Sequence, residues 1–384
     1  MAVIPNLPPH LPVRLGAYYF AYFTYAGALV PYFSLWLAAQ GFGATQIALV
    51  LAMPQIARVF APALWGWLAD HGGRQREIVI FGAFAVFLGF AALYAVRGVA
   101  GVALVMFVLS VLAAGAMPLV EGAALAATEG QAGRYGPIRL WGSIGFILAV
   151  LGTGAWLDRH GAETILHIVV LLAATVCVAA FGIPARARPS GAATGPRMGA
   201  VLRRGDVRAF FGACMCMSVA HGAMYAFYSI HLEAAGYSKA TIGVLWMLGV
   251  VAEVVVFLRL PQLMRRFSLR ALLLASFACA ALRFAAIGWA VDLPAVLAAA
   301  QLLHAATFGV FHAASIATVH RLFQGGIAAR GQSLYSSLTY GAGGAIGTLI
   351  AGWTWEALGP ASSFAVSAVF GALGAALVAW KVRV

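Results

Sequence analysis

Charged side chains are scarce in this sequence of 384 residues, and acidic ones are the scarcest. Only 9% of the residues are charged and eleven are Asp or Glu, whereas a soluble domain carries about 25% charged residues. Hydrophobic residues make up 63% of the chain, and its mean hydropathy is +0.93. Such a composition leaves too little polar surface for a soluble fold, and it indicates lipid as the solvent.

Several chemical signatures are also missing. The four cysteines, Cys177, Cys214, Cys216 and Cys279, lie in apolar stretches without a C-x-x-C pair, so they indicate neither a metal site nor a disulfide framework. The sequence has no H-E-x-x-H, no G-x-S-x-G and no P-loop. These absences argue against a membrane-embedded enzyme and against ATP-driven transport, and we expect no cofactor and no metal.

What the sequence does contain is a series of long apolar stretches. A bilayer needs about 20 apolar residues per helix, and twelve stretches meet that length. This predicts an all-α membrane protein with twelve transmembrane helices. The predicted spans are 15–37, 45–68, 78–96, 101–125, 137–157, 164–183, 209–232, 240–260, 269–289, 293–320, 332–355 and 361–380.

The net charge of +13 is distributed unevenly between the two sides of these spans. Seventeen of the 24 basic residues fall on the side of the chain ends, and only Arg97, Arg159 and Lys239 fall in the opposite loops. By the positive-inside rule, both termini are predicted to be cytoplasmic, in a bacterial-type inner membrane. The basic charge is therefore a topology signal, and we expect no nucleic-acid partner.

A gap at 184–208, rich in Pro, Gly and Arg, divides six spans from six. The sequence thus predicts two pseudo-symmetric six-helix bundles, 1–183 and 209–384, joined by a cytoplasmic linker. A shift of 195 residues gives six identities across 34–58, among them Ser34 with Ser229. At the end of this match Arg58 falls on Glu253, so the two halves hold opposite charges at the same place.

The segment after the second span reads GWLADHGGRQR. It resembles the signature G-x-L-A-D-x-x-G-R of the major facilitator superfamily, and with twelve spans, a central linker and a repeat it identifies the chain as a member. The resemblance implies a solute transporter that works by alternating access. It also implies a conformational latch, in which Gly66 permits close helix contact and Asp70 and the arginines bind neighbouring groups. The latch residues are Gly66, Asp70, Gly73, Arg74 and Arg76.

Within that superfamily the chain resembles the lactose permease and phenylpropionate permease branch. The run RLWGSIGF at 139–146 and the order of Glu253, Arg283 and His304 carry this resemblance. It implies that Glu121 and Arg139 form a substrate-facing pair. Two departures from lactose permease are Thr307, where that permease has a Glu, and Phe146, where it has a sugar-stacking Trp. They count against carrying over its proton site and its sugar substrate.

Charged residues in mid-span cost about 2.5–3.5 kcal/mol each on insertion scales, and they usually mark substrate or ion paths. We predict that Arg58 and Arg283 bind an anionic group, because a guanidinium binds a carboxylate with two hydrogen bonds. Glu253 is the predicted proton carrier, and His304 relays or tunes that proton. A static ion pair between Glu253 and Arg283 is the competing interpretation.

Two helical stripes complete the predicted site. One stripe lies on a face of the tenth span and consists of Gln301, His304 and Phe308. The other lies on the first span, where helical spacing places Tyr22 on the same face as Tyr18 and Tyr25. Cavity lining and plain packing both remain open for each stripe. The predicted substrate-binding residues are Arg58, Glu121, Arg139, Arg283, Phe146, Gln301 and Tyr22.

These observations predict a monomeric secondary transporter that couples protons to import of a small organic solute, in the first place an aromatic or other monocarboxylate. Sugar or nucleoside symport with protons and drug:proton antiport are the alternatives within transporters. A polytopic membrane receptor or sensor is the alternative outside them.

Overall fold

The computed structural model describes residues 10–128, 131–184 and 198–382. Twelve long helices, α1 to α12, fill these ranges, as the hydropathy predicted. Their bounds are Leu11–Ala39, Ala44–Gly72, Gln75–Ala92, Val99–Ala127, Ala132–His160, Ala162–Ala180, Gly205–Ala234, Lys239–Arg266, Leu269–Trp289, Pro294–Leu322, 328–358 and Pro360–Lys381.

Ten of these helices are long and apolar enough to cross a membrane by length and composition alone. The other two, α1 and α11, have a lower hydropathy because α1 contains five tyrosines and α11 is rich in Ser, Thr and Gly. Both contribute residues to the wall of the central cavity described below. Their polar groups therefore face the middle of the protein.

The helices form two bundles, α1–α6 and α7–α12, which meet where α2 packs on α11, α5 on α8 and α1 on α7. Close glycine contacts repeat in both bundles at the predicted offset of 195. A Cβ at Gly27 of α1 would lie 2.7 Å from the Phe146 carbonyl oxygen of α5. A Cβ at Gly222 of α7 would lie 2.2 Å from Gly347 of α11. The backbones confirm the two-fold repeat that the sequence indicated.

The predicted linker was too long at its C-terminal end. A short helix, Met198–Leu202, lies inside it, and α7 begins at Gly205. Asp206 in the first turn of α7 accepts hydrogen bonds from Arg204, and an acidic side chain at a helix N-terminus is favourable. Residues 185–197 of the predicted linker lie outside the described residues.

The two bundles are joined at one end of the molecule, the end away from the chain termini, which we call the distal end. There the Asp158 carboxylate, at the C-terminus of α5, accepts hydrogen bonds from Lys239 N at 2.7 Å and Ala240 N at 3.0 Å, in the first turn of α8. The Glu356 carboxylate, near the C-terminus of α11, accepts one from Thr45 N at 2.9 Å, in the first turn of α2.

Small residues bring the same helices together at the distal end. A Cβ at Gly154 of α5 would lie 2.5 Å from Lys239 O, and a Cβ at Gly352 of α11 would lie 2.3 Å from Ala48 Cβ of α2. The Tyr32 hydroxyl donates to Val150 O at 2.7 Å and to Lys239 O at 3.2 Å. In the described part of the chain, every side-chain hydrogen bond between the bundles lies at this end, so the structure is closed there.

Candidate functional site

A cavity of about 1080 Å³ lies between the two bundles. Its wall includes Ser34 and Thr348 toward the distal end, and Leu125 and Gln332 toward the end that carries the chain termini. Leu125 is 44% exposed, and Gln332 is also exposed. The cavity therefore opens at the end of the chain termini, which we call the terminal end, and is closed at the distal end.

Arg58 is the basic residue at the wall of this cavity, and it comes from the middle of α2. Among the described residues, no carboxylate lies within 4.0 Å of its guanidinium. Pro54 and Pro62 flank Arg58 in α2, and Gln55 lines the cavity one turn before it. Arg58 thus presents an unpaired positive charge to the cavity, where it can bind an anion.

Aromatic rings from α1 form the wall beside Arg58. Tyr18, Tyr22 and Tyr25, which their helical spacing places on one face, all line the cavity, and of the two interpretations left open for them cavity lining is the one observed. Tyr18 and Tyr22 stack with ring centroids 6.2 Å apart. Tyr225 of α7 adds a ring from the other bundle. The cavity therefore combines one free guanidinium with aromatic faces from both bundles.

Glu121 lines the cavity, but it does not form the ion pair with Arg139 that the resemblance implied. Its carboxylate instead accepts a hydrogen bond from the Tyr135 hydroxyl of α5. Arg139 lies over the Phe23 ring, 4.2 Å from its centroid, and it is not part of the cavity wall. Arg139 is thus bound by a cation–π contact with Phe23 on α1, and Glu121 is bound by Tyr135, one turn before Arg139.

Arg283 is fully buried in the C-terminal bundle and does not line the cavity in this conformation. Its guanidinium donates to Thr307 Oγ1 and to Gln301 Oε1, both at 3.1 Å, and it lies 3.4 Å from Met224 Sδ. The predicted static pair with Glu253 is not formed. Thr307, which does line the cavity, is the contact between this buried guanidinium and the site.

Glu253 of α8 contacts His304 of α10 instead, with 3.8 Å between Glu253 Oε2 and His304 Nε2. Both side chains are largely buried, at 16% and 11% exposed. The Glu253 stem lies against Gly309 of α10, and α8 packs on α5 of the other bundle. The two residues predicted to handle a proton are therefore neighbours, just behind the cavity wall.

The predicted stripe on α10 is only partly correct. Phe308 lines the cavity, whereas Gln301 and His304 do not. Residues 305–310 form a π-helical segment, and a π turn contains one residue more than an α turn. The face shared by residues before this segment is therefore not the face shared after it. Phe146 is also absent from the cavity wall, because its backbone is packed against Gly27 of α1.

Sequence reasoning missed a group of hydrogen-bonded rings in the wall at the terminal end. His312 Nδ1 lies 2.8 Å from the Tyr340 hydroxyl, and Tyr335 Oη lies 3.2 Å from Tyr340 Oη. His312 and Tyr340 line the cavity. His312 could have been recognised from the sequence as a polar residue on an apolar helix. The tyrosines could not, because they come from α11, where residues 337–343 form a second π-helical segment that changes the helical spacing.

The predicted latch residues do not line the cavity. They are connected to it only because Gly66 and Asp70 lie on α2, the helix that carries Arg58. Gly66 and Asp70 lie in the last turns of α2, and the helix ends at Gly73, whose φ of +60° is a left-handed C-cap. A Cβ at Gly66 would have no neighbour within 4 Å, so the predicted close helix contact is absent here.

The predicted pairing of the latch arginines with carboxylates is also not formed in the described residues. Arg76 donates instead to Phe181 O at the end of α6, at 3.1 Å. The physical reason is that the C-terminus of α6 has free carbonyl groups, which bind the Arg76 guanidinium in place of a carboxylate. The role of Arg74 stays a prediction.

Comparison with known families gives one match over most of the chain. The model described as "MFS_1 like family" matches residues 13–366. The chain is 32% identical over 347 residues to the probable 3-phenylpropionic acid transporter of Escherichia coli (strain K12), which covers 89% of this chain and 90% of the relative. It is 26% identical to the maltose permease of Geobacillus stearothermophilus, over 95% and 94% of the two chains.

Solved structures of the same architecture cover nearly the whole chain. The nucleoside transporter NupG superposes with a TM-score of 0.81 at 18% identity, over 96% of this chain and 97% of that chain. The POT family transporter PepTSo gives 0.72 at 14% identity, over 99% and 98%. At these identities the likeness concerns the fold alone.

Proposed function

Because the chain belongs to the MFS_1 like family of the major facilitator superfamily and is thus a secondary active transporter, we propose that it couples protons to the symport of an aromatic monocarboxylate. It moves the solute unchanged as a monomer, with the proton as coupling ion and without a cofactor. The observation that carries the proposal is the unpaired Arg58 beside the tyrosine wall of the central cavity.

The orientation in the membrane follows from the basic residues. Most of them lie at the terminal end, so the terminal end is cytoplasmic by the positive-inside rule. The distal end, with its closed helix contacts, then faces the outside of a bacterial inner membrane. In this orientation the structure is open to the cytoplasm, as at the moment when an imported solute is released.

The substrate class follows from the chemistry of the cavity wall. A guanidinium binds a carboxylate with two parallel hydrogen bonds, and no carboxylate of the described residues lies within 4.0 Å of Arg58 to compete for it. Tyr18, Tyr22 and Tyr25 offer ring faces and edges on which an aromatic group stacks. The relative named for 3-phenylpropionic acid supports the same class.

Proton coupling is supported by the position of Glu253. Its side chain is 16% exposed and contacts His304 at 3.8 Å, and among the residues that the structure describes no arginine lies within 4.0 Å of it. A buried carboxylate without a full counter-charge binds a proton more readily than an exposed one. Because Glu253 lies beside the wall of the cavity, a change of conformation alters its surroundings and hence its protonation.

Uptake by purified protein in liposomes tests the proposal. We expect an inward proton gradient to drive accumulation of labelled 3-phenylpropionate, and Arg58→Gln to raise its KM by at least about tenfold through loss of a charged hydrogen-bond pair. The matched control is Arg259→Gln, an exposed arginine of α8 outside the cavity wall. Accumulation of maltose or a nucleoside, without the acid, would show that the sugar or nucleoside alternative is correct.

A further inference from the structure

The cavity has a polar group from each bundle at its cytoplasmic part, apart from Arg58. Glu121 of α4 and His312 of α10 both line it, one from each bundle. Counted along the helices, these residues lie about 6 to 12 Å nearer the terminal end than Arg58, at 1.5 Å per residue. A phenyl ring with a short acid side chain bridges such a span.

The hydrogen bonds around these two residues leave one donor and one acceptor toward the cavity. One oxygen of Glu121 accepts from the Tyr135 hydroxyl, so its second oxygen remains an acceptor. On the other side, Tyr335, Tyr340 and His312 form a chain of hydrogen bonds of 3.2 and 2.8 Å. When each tyrosine donates along this chain, His312 Nδ1 accepts and its Nε2–H is the remaining donor.

The groups that face the pair from the packed helices are consistent with this assignment. On the side of the N-terminal bundle, Arg139 lies over the rings of Phe23 and Tyr19, 4.2 and 5.6 Å from their centroids, and so does not pair with Glu121. On the side of the C-terminal bundle, His312 stacks on Phe308 at 6.4 Å. Between these walls the cavity offers a carboxylate acceptor opposite an imidazole donor.

We propose that Glu121 and His312 form a second polar subsite, which binds a hydroxyl group on the ring of the transported acid. A hydroxyl both donates and accepts, so it satisfies the Glu121 oxygen and the His312 N–H at once. A second carboxylate is repelled by Glu121. The inference rests on the proposed function and narrows its substrate class to ring-hydroxylated aromatic monocarboxylates.

Competition with labelled 3-phenylpropionate in liposomes tests the subsite. The competitors are 3-(4-hydroxyphenyl)propionate, 3-(3-hydroxyphenyl)propionate and their methoxy counterparts. We expect at least one hydroxylated acid to compete at least about tenfold better than the unlabelled parent acid, and its methoxy counterpart to lose that advantage because it cannot donate to Glu121.

For each variant, the readout is the ratio of the inhibition constants of the parent and the hydroxylated acid, which states how much better the hydroxylated acid competes. His312→Phe and Glu121→Gln are each expected to bring the ratio toward one. His221→Phe, the same change at the other histidine of the cavity wall, is the matched control and is expected to keep the wild-type ratio. Because the wild-type competition needs no variant, the proposal remains testable if one of them fails to fold.

The outcomes separate this inference from the proposed function. A ratio near one in the wild-type protein, with both acids transported, overturns the hydroxyl subsite and leaves the aromatic-acid symporter standing. A ratio kept by both His312→Phe and Glu121→Gln also overturns it. If neither acid is bound or transported, the proposed substrate class and the subsite are both wrong.

Discussion

Asp158 and Glu356 hold equivalent positions in the two halves, and each caps the first turn of a helix in the opposite bundle. Asp158 accepts from Ala240 N and Glu356 from Thr45 N, and these two amides are 195 residues apart, the offset of the repeat. Carboxylates are favourable at helix N-termini because they bind free N–H groups and the positive end of the helix dipole. The distal closure is therefore built twice from the same interaction.

Removing both caps is expected to favour the opposite conformation. With about 1 kcal/mol for each cap, the double variant Asp158→Ala with Glu356→Ala shifts the equilibrium between the two open states by roughly 10- to 30-fold. The measurement is alkylation of a cysteine placed at Ser34, in a background without the four native cysteines, by a membrane-impermeant maleimide added at the distal face. Faster labelling is the expected result.

The control for this prediction is Glu233→Gln. Glu233 lies at the same end and pairs with Lys239 at 2.7 Å, but both residues belong to the C-terminal bundle. Unchanged labelling in the double variant, or an equal increase in the control, would show that the caps do not hold the bundles together.

A side chain at Gly352 is expected to prevent distal closure. Its Cβ would lie 2.3 Å from Ala48 Cβ, closer than packed atoms approach. Gly352→Val should therefore leave a folded protein that binds solute but loses most of its transport, measured by uptake and by size-exclusion chromatography. Gly152→Val is the matched control, since a Cβ at Gly152 has no neighbour within 4 Å. Full transport by Gly352→Val would contradict the close packing.

Glu253→Gln is expected to abolish proton-driven accumulation and to retain exchange of labelled for unlabelled solute. Glutamine keeps the shape beside His304 but cannot release a proton. Exchange and gradient-driven uptake are measured in the same liposomes, so that loss of folding is distinguished from loss of coupling. Glu163→Gln, at an exposed position in the first turn of α6, provides the control. If accumulation persists in Glu253→Gln, another group carries the proton.

Arg283→Lys is expected to lower both the thermal stability and the transport activity of the protein. The guanidinium reaches Thr307 and Gln301 together, and a lysine ammonium is a point charge that does not reproduce this fork. Losing one buried charged hydrogen bond costs about 1.5–3 kcal/mol, visible as a lower Tm in detergent. Arg259→Lys, at an exposed position, should leave the Tm unchanged. A wild-type Tm and normal uptake for Arg283→Lys would exclude a role for the fork.

The helices were predictable because hydropathy over 20 residues is a local property of the chain. The bounds predicted for α9, 269–289, agree with Leu269–Trp289, and most others differ by a few residues where polar turns extend a helix into the interface. The two bundles were predictable from the repeat, because six identities across 34–58 survive at the offset of 195, among them Ser34 with Ser229.

The cavity was only partly predictable, because it depends on contacts across helices. Arg58, Glu121 and Tyr22 line it, and Glu253 and His304 are neighbours, as mid-span charge and spacing indicated. The Glu121–Arg139 pair failed because Tyr135 satisfies Glu121 first.

Other failures have different physical causes. The stripe through Gln301 failed because a π-helical segment changes the period on which such stripes depend. The predicted close contact at Gly66 failed because no neighbouring helix comes within 4 Å of a Cβ at that position, and the packing of one helix on another is not encoded by a single sequence position.

The two π-helical segments, 305–310 and 337–343, both lie in the second half of the chain, and the described residues of α1–α6 contain none. Their hydrogen bonds span five residues, and such segments are rare inside α-helices and frequently lie at functional sites. The duplicated halves have therefore diverged in local helix geometry while keeping one architecture. Internal rearrangement during a transport cycle should concentrate in α10 and α11, while the first six helices turn largely as a rigid body.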